Sequence, residues 1–105
     1  MTSTRAKYAA GALVCHKLFD YWDVVIDIDP EFQGTAEWYE AMARSRPPKD
    51  RPWYHVLVDG AEHNTYVAER NLEPASDVGP IHHHLLEEGL MRYENGRYRV
   101  ERKLI

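Results

Sequence analysis

Alternation of apolar and polar positions dominates this chain. In WDVVIDID, residues 22 to 29, Val24, Ile26 and Ile28 share one parity, while Val25, Asp27 and Asp29 share the other. That is the period-two signature of a strand, and Pro30 stops it by removing a ladder donor. GALVCHKL, residues 11 to 18, reads as a strand before it. A third strand runs from Trp53 to Asp59, with Tyr54, Val56 and Val58 on one face and Trp53, His55 and Leu57 on the other. Asp59-Gly60 is a turn signal, and NTYVAE, residues 64 to 69, is the return strand. EPASDVGP, residues 73 to 80, is a loop by composition. Asn95-Gly96, between LMRY and RYRV, marks a second hairpin.

One segment departs from this pattern. In TAEWYEAMARS, Thr35 is placed to cap a short helix near Thr35 to Arg44, with Glu37 in its first turn. Trp38 and Met42, four apart, would form its buried stripe. Pro47 and Pro48 end it near Arg46. The sum is a mainly β chain of five to seven short strands with one helix, in the excursion between the second and third strands. Such strands need a closed or curled sheet to hide their edges. The expected fold is a small, bent SH3-like or OB-like β-barrel. Its interior should hold Tyr54, Val56, Val58, Val24, Ile26 and Ile28.

Composition narrows the class. The 105 residues suffice for one domain and not two. With 44% apolar and 29% charged residues, the chain reads as a soluble globular domain. Its single cysteine, Cys15, permits no intrachain disulfide, which fits a reducing compartment. The run Ala9 to Cys15 is too short for a secretory core, and no stretch approaches the ~20 apolar residues of a membrane span. The expected location is the cytoplasm, with no membrane partner.

Charge is unevenly placed. The net value is −4, with seven acids and no Lys or Arg from Asp20 to Glu40. Four bases against Asp50 follow from Arg44 to Arg51, and five against Glu94 and Glu101 from Arg92 to Lys103. An acidic total argues against strong nonspecific nucleic-acid binding and leaves room for a local basic patch. Arg44, Arg46, Lys49 and Arg51 around the proline pair form the best phosphate-binding candidate. Trp53 stands beside them for stacking or wedge contact. The alternative is a solvated loop that balances the preceding acids. Arg97, Arg99 and Glu101 share one side of the terminal strand, so part of that charge cancels.

Catalytic chemistry finds little support. No G-x-S-x-G or comparable signature occurs, and the three serines lie outside the patterned segments. His55 lacks a partner nucleophile in sequence. Asp27 and Asp29 share a strand face about 7 Å apart, which suits a solvated face better than a metal or acid–base pair. His82 and His84 could face one way in an extended segment, but two histidines without a third ligand make a poor metal site. Neither a metal nor any other cofactor is expected. Glu31, Phe32, Glu37 and Trp38 offer a charged surface with aromatic anchors for a protein partner. Alternatively, Phe32 and Trp38 pack the helix onto the barrel.

Three pieces taken together resemble one family. GALVCHKLFDYWDVVIDIDPEF, EWYEAMARSRPPKDRPWYHVLVDG and TYVAERNLEP are similar to the YccV/HspQ family, the hemimethylated-DNA-binding proteins. The similarity runs from about Tyr8 to His82. Its most specific parts are D-x-D-P-x-F at Asp27 to Phe32, P-W-Y-H at Pro52 to His55, and Y-V-A-E-x-N-L at Tyr66 to Leu72. On this basis residues 1 to 105 form one domain with a core at about 8 to 82 and a C-terminal β-hairpin or extension at 83 to 105. The resemblance implies a non-enzymatic small β-barrel that binds hemimethylated double-stranded DNA. For the HspQ branch it implies instead a heat-shock adaptor that assists the Lon protease with its substrates. It also implies self-association, up to a trimer. The family usually carries glycine where this chain has Asp23, which suggests a bulge or tight bend there.

Overall fold

The computed structural model describes residues 6–19, 21–43, 45–60, 64–75, 91–94 and 97–100. Five antiparallel strands make the main sheet: β1 (Leu13–His16), β2 (Trp22–Asp29), β3 (Trp53–Val58), β4 (Asn64–Ala68) and β5 (Leu72–Pro74). Their order is β4-β3-β2-β1-β5. A short helix, α1 (Ala36–Met42), lies between β2 and β3, and β6 (Met91–Glu94) pairs with β7 (Arg97–Val100) as a separate hairpin.

The connection from β4 to β5 forces the sheet to curl. These are its two edge strands, yet only the 3-10 turn Glu69–Asn71 joins them. In a flat sheet four strand spacings would separate the edges by roughly 19 Å. A 3-10 turn of this length rises only about 6–8 Å. The sheet therefore bends until its edges approach, which is the small, bent β fold expected from the strand pattern.

The interior of the bend draws one or more side chains from each of the five strands of the main sheet. Val14, Val25, Tyr54, Val56, Val67 and Leu72 are all buried together, with Ile28 and Val58 packed against them. The faces of β2 differ from those that strict alternation predicts. The register of β2 on β3 shifts between Val25 and Asp27, so Ile26 is the extra residue of a β-bulge. Before the bulge Val25 opposes Val56, and after it Ile28 opposes Tyr54. Val24 and Ile26 consequently leave the interior. Val24 is buried on the other side with Leu13, Leu57 and Tyr98, and Ile26 is half-buried against that group. The bulge expected near Asp23 falls at Ile26 instead, and Asp23 lies in the regular part of β2, opposite Val14 and Val58.

Both faces of β3 are covered. The inner face holds Tyr54 and Val56, while on the outer face Trp53 lies under α1 and Leu57 under the β6–β7 hairpin. The hairpin docks through Tyr98, whose N–H donates to the Gly11 carbonyl at 2.9 Å. Gly11 has φ +94°, and a Cβ there would collide with the Tyr98 carbonyl. Glycine meets both requirements at once.

Helix α1 is shorter than expected and shows a different face. Thr35 caps it as anticipated, accepting from the Trp38 N–H at 3.0 Å. It buries Tyr39, and its C-cap Ala43 is buried too, with Trp38 half-buried beside them. Met42, expected in the buried stripe, is 63% exposed. The stripe is rotated by one residue because Tyr39 must reach the proline loop.

Candidate nucleic-acid interface

The loop from Ser45 to Pro52 is held from beneath by three consecutive carbonyls. The Tyr39 hydroxyl donates to the Pro47 carbonyl at 2.6 Å. The Trp53 indole N–H donates to Pro48 at 3.1 Å, and the Phe32 backbone N–H donates to Lys49 at 2.9 Å. Pro47 and Pro52 are fully buried. With its carbonyls drawn inward, the loop leaves Arg46, Lys49 and Arg51 exposed.

Each cation has its own setting. Arg46 sits at φ +54°, in the left-handed region, three residues past the Ala43 C-cap, and its N–H donates to the Ala43 carbonyl at 3.0 Å. Its guanidinium pairs with Glu40 at 2.8 Å, which lowers the Glu40 carboxyl pKa and raises that of Arg46. Lys49 holds its ammonium 4.3 Å from the centre of the Tyr39 ring and 5.8 Å from that of Phe32, a cation–π placement. Arg51 is exposed, and Arg44 lies outside the described residues.

Trp53 does not reach this surface. It is 1% exposed and enclosed by Phe32, Trp38, Tyr39 and Tyr66. No face is free for a base, so the candidate stacking residue is a support for the loop. Phe32 and Trp38 belong to the same aromatic cluster and are half-buried, whereas Glu31 and Glu37 are exposed.

His55 closes a small polar group beside the cluster. Asp29 Oδ2 accepts from the Tyr66 hydroxyl at 2.6 Å and lies 3.1 Å from His55 Nε2. Burial first, and then this bond, raise the Tyr66 pKa. The Gln33 N–H donates to the same hydroxyl at 3.0 Å, which anchors the segment after β2. Asp27 turns back to accept from the Ile28 N–H. The two carboxylates thus serve the fold. Among the described residues no group of three or more His, Cys, Asp or Glu is arranged to hold a metal, and His82 to His84 lie outside them.

Two cations join the loop that sequence spacing did not bring to it. Arg70 donates to the Ser45 carbonyl, and Asn71 Nδ2 donates to the Ser45 hydroxyl at 3.2 Å. The Asn71 carbonyl accepts from the Lys17 N–H at 2.8 Å. The 3-10 turn therefore ties the proline loop to the turn that follows β1. Lys17 and Arg70 are exposed, as are Arg46, Lys49 and Arg51. The only linear trace of this is Asn71 within the Y-V-A-E-x-N-L run, and it gives no hint of its partners.

The basic loop on a bent β scaffold coincides with a family match. The model of the YccV-like family, described as hemimethylated DNA-binding protein YccV like, matches residues 6–97. The chain belongs to that family. The matched region takes in all five strands of the sheet, the proline loop, the 3-10 turn and the start of β7. No helix among the described residues is long and apolar enough to cross a membrane.

Proposed function

We propose that this chain is a non-enzymatic DNA-binding protein of the cytoplasm, engaging hemimethylated double-stranded DNA through the Ser45–Arg51 loop. The observation that carries the reading is the loop's anchorage. Three inward-bonded carbonyls fix a short segment that exposes Arg46, Lys49 and Arg51 against one exposed acid, Asp50, on a chain whose family is described by hemimethylated-DNA binding. Rigid cations suit phosphate contacts, because little side-chain and loop entropy is lost on binding. Lys49 and Arg51, with Arg44 by sequence, make the primary contacts, and Arg46 contributes less while it is paired with Glu40. A methyl group needs an apolar contact. Trp22, 47% exposed, supplies one, whereas buried Trp53 does not.

The net charge of −4 limits affinity. Self-association, up to a trimer, would set several loops on one duplex and raise avidity. Fluorescence anisotropy with hemimethylated, unmethylated and fully methylated duplexes of one sequence tests the reading. Tighter binding to the hemimethylated form is expected, and equal affinity for all three removes methyl recognition.

A second reading, an adaptor that delivers substrates to the Lon protease, draws on the acidic surface. Glu31, Glu37 and Glu40 are exposed, as is Met42 at 63%, and Phe32 and Trp38 are partly accessible between them. Charge reversal at Glu31 and Glu37 should then abolish stimulation of degradation in a purified system and leave duplex affinity unharmed.

A further inference from the structure

The turn after β1 carries the most exposed aromatic side chain among the described residues. Phe19 is 68% exposed and its neighbour Leu18 is 56% exposed. The turn is nonetheless built firmly. His16 is buried, and its Nδ1 accepts from the Leu18 N–H at 3.1 Å and the Phe19 N–H at 3.4 Å. The Phe19 ring lies 4.7 Å from the His16 ring and stacks at 6.0 Å on Tyr21. A flexible tip would let these side chains fold back onto the surface. This one holds two large apolar groups out in water.

Its position gives the turn a purpose. Lys17, which begins it, is bonded through the Asn71 carbonyl to the same 3-10 turn that grips Ser45 of the basic loop. Lys17 at the base of the tip is exposed, as is Arg70, whose guanidinium donates to the Ser45 carbonyl of the loop. An apolar tip tied through Asn71 to a loop that carries cations matches a duplex that offers phosphates outside and a stack of bases within. Proteins that bend or kink DNA insert such side chains between base steps while flanking cations hold the backbone.

We propose that Leu18 and Phe19 form a wedge that enters the base stack when the loop cations are seated on the backbone. The wedge rests on the DNA-binding reading above. Phe19 partly unstacks one step, His16 sets the angle of entry, and Lys17 and Arg70 contact the phosphates flanking it. The distortion would let the protein sense the stiffness of a site as well as its methylation.

The test uses the full chain and duplexes carrying 2-aminopurine at successive positions, with anisotropy recorded in parallel. Binding should raise the fluorescence at one step. Phe19→Ala should abolish that rise and weaken binding about tenfold, with an unchanged thermal midpoint and salt slope. Phe19→Trp should preserve the rise. Binding without any rise, or a rise that survives Phe19→Ala, overturns the wedge and leaves the DNA-binding reading standing. Failure to bind any duplex overturns both. Loss of an oligomer in Phe19→Ala, seen by sedimentation, would assign the tip to contact between copies of the chain and also overturn the wedge.

Discussion

Trp53 donates its indole N–H to the Pro48 carbonyl at 3.1 Å, five residues back along the chain. The ring is buried among aromatics while its one polar atom holds the loop that carries Lys49 and Arg51. Trp53→Phe retains most of the packing and removes this bond. It should cost about 1–2 kcal/mol in stability, from a lost hydrogen bond and a smaller ring. Chemical denaturation measures that cost. Duplex affinity should fall with the number of phosphate contacts unchanged, because the cations remain and only their support is loosened.

Asp23 makes stability depend on pH. Its carboxyl is 0% exposed, between Val14 and Val58 in register, and neither oxygen has a hydrogen-bond partner among the described residues. Burial pushes its pKa up from 3.8 to about 8. The folded chain therefore retains a proton that the unfolded chain releases near pH 3.8. Stability should fall as pH rises from 3.8 to about 8, and this contribution should be level above that. Asp23→Asn should match the parent below pH 3.8, gain on it as pH rises, and exceed it at pH 9 by on the order of a few kcal/mol. Urea midpoints across that range are the readout.

His16 has the opposite dependence. Burial lowers its pKa from 6.5, and its Nδ1 must stay unprotonated to accept from Leu18 and Phe19. Its contribution is present above pH 6.5 and is lost as pH falls through the lowered value. The amide resonances of Leu18 and Phe19 should move together on acidification, at a pH below the ordinary histidine range. Movement centred at or above 6.5 would contradict this role.

Gly11→Ala tests the docking of the β6–β7 hairpin. The substitution meets a left-handed backbone and the Tyr98 carbonyl together. A loss of about 1–3 kcal/mol is expected from the backbone alone, and more if the hairpin is displaced. Near-ultraviolet circular dichroism should lose the signal of Tyr98, which packs edge-on to Tyr93 at 5.3 Å.

The strands were legible because alternation and turn residues are local signals. WDVVIDID and WYHVLV became β2 and β3, and NTYVA their neighbour β4. What alternation could not convey was the extra residue at Ile26, which exchanges the two faces of β2 without altering composition. The cover on both faces of β3 was also invisible, since it depends on where α1 and the hairpin dock. At the candidate site, the cations from Arg46 to Arg51 were legible as a run. Lys17 and Arg70 were not, because curling of the sheet brings them to the loop through Asn71. Trp53 reads from sequence either as a contact or as a prop for the loop, because adjacency to a basic run says nothing about which way a ring points.

The salt dependence of duplex affinity tests the central claim most directly. Lys49→Gln with Arg51→Gln removes two exposed cations and leaves the inward carbonyl bonds in place. Anisotropy titrations from low to physiological salt should give a double variant whose log–log slope is smaller by about two units. Thermal stability should fall only slightly, by the roughly 0.5–1 kcal/mol of the exposed Lys49 contact with the Tyr39 ring. An unchanged slope, with binding intact, would place the phosphate contacts elsewhere and contradict the assignment of the proline loop as the DNA-binding surface.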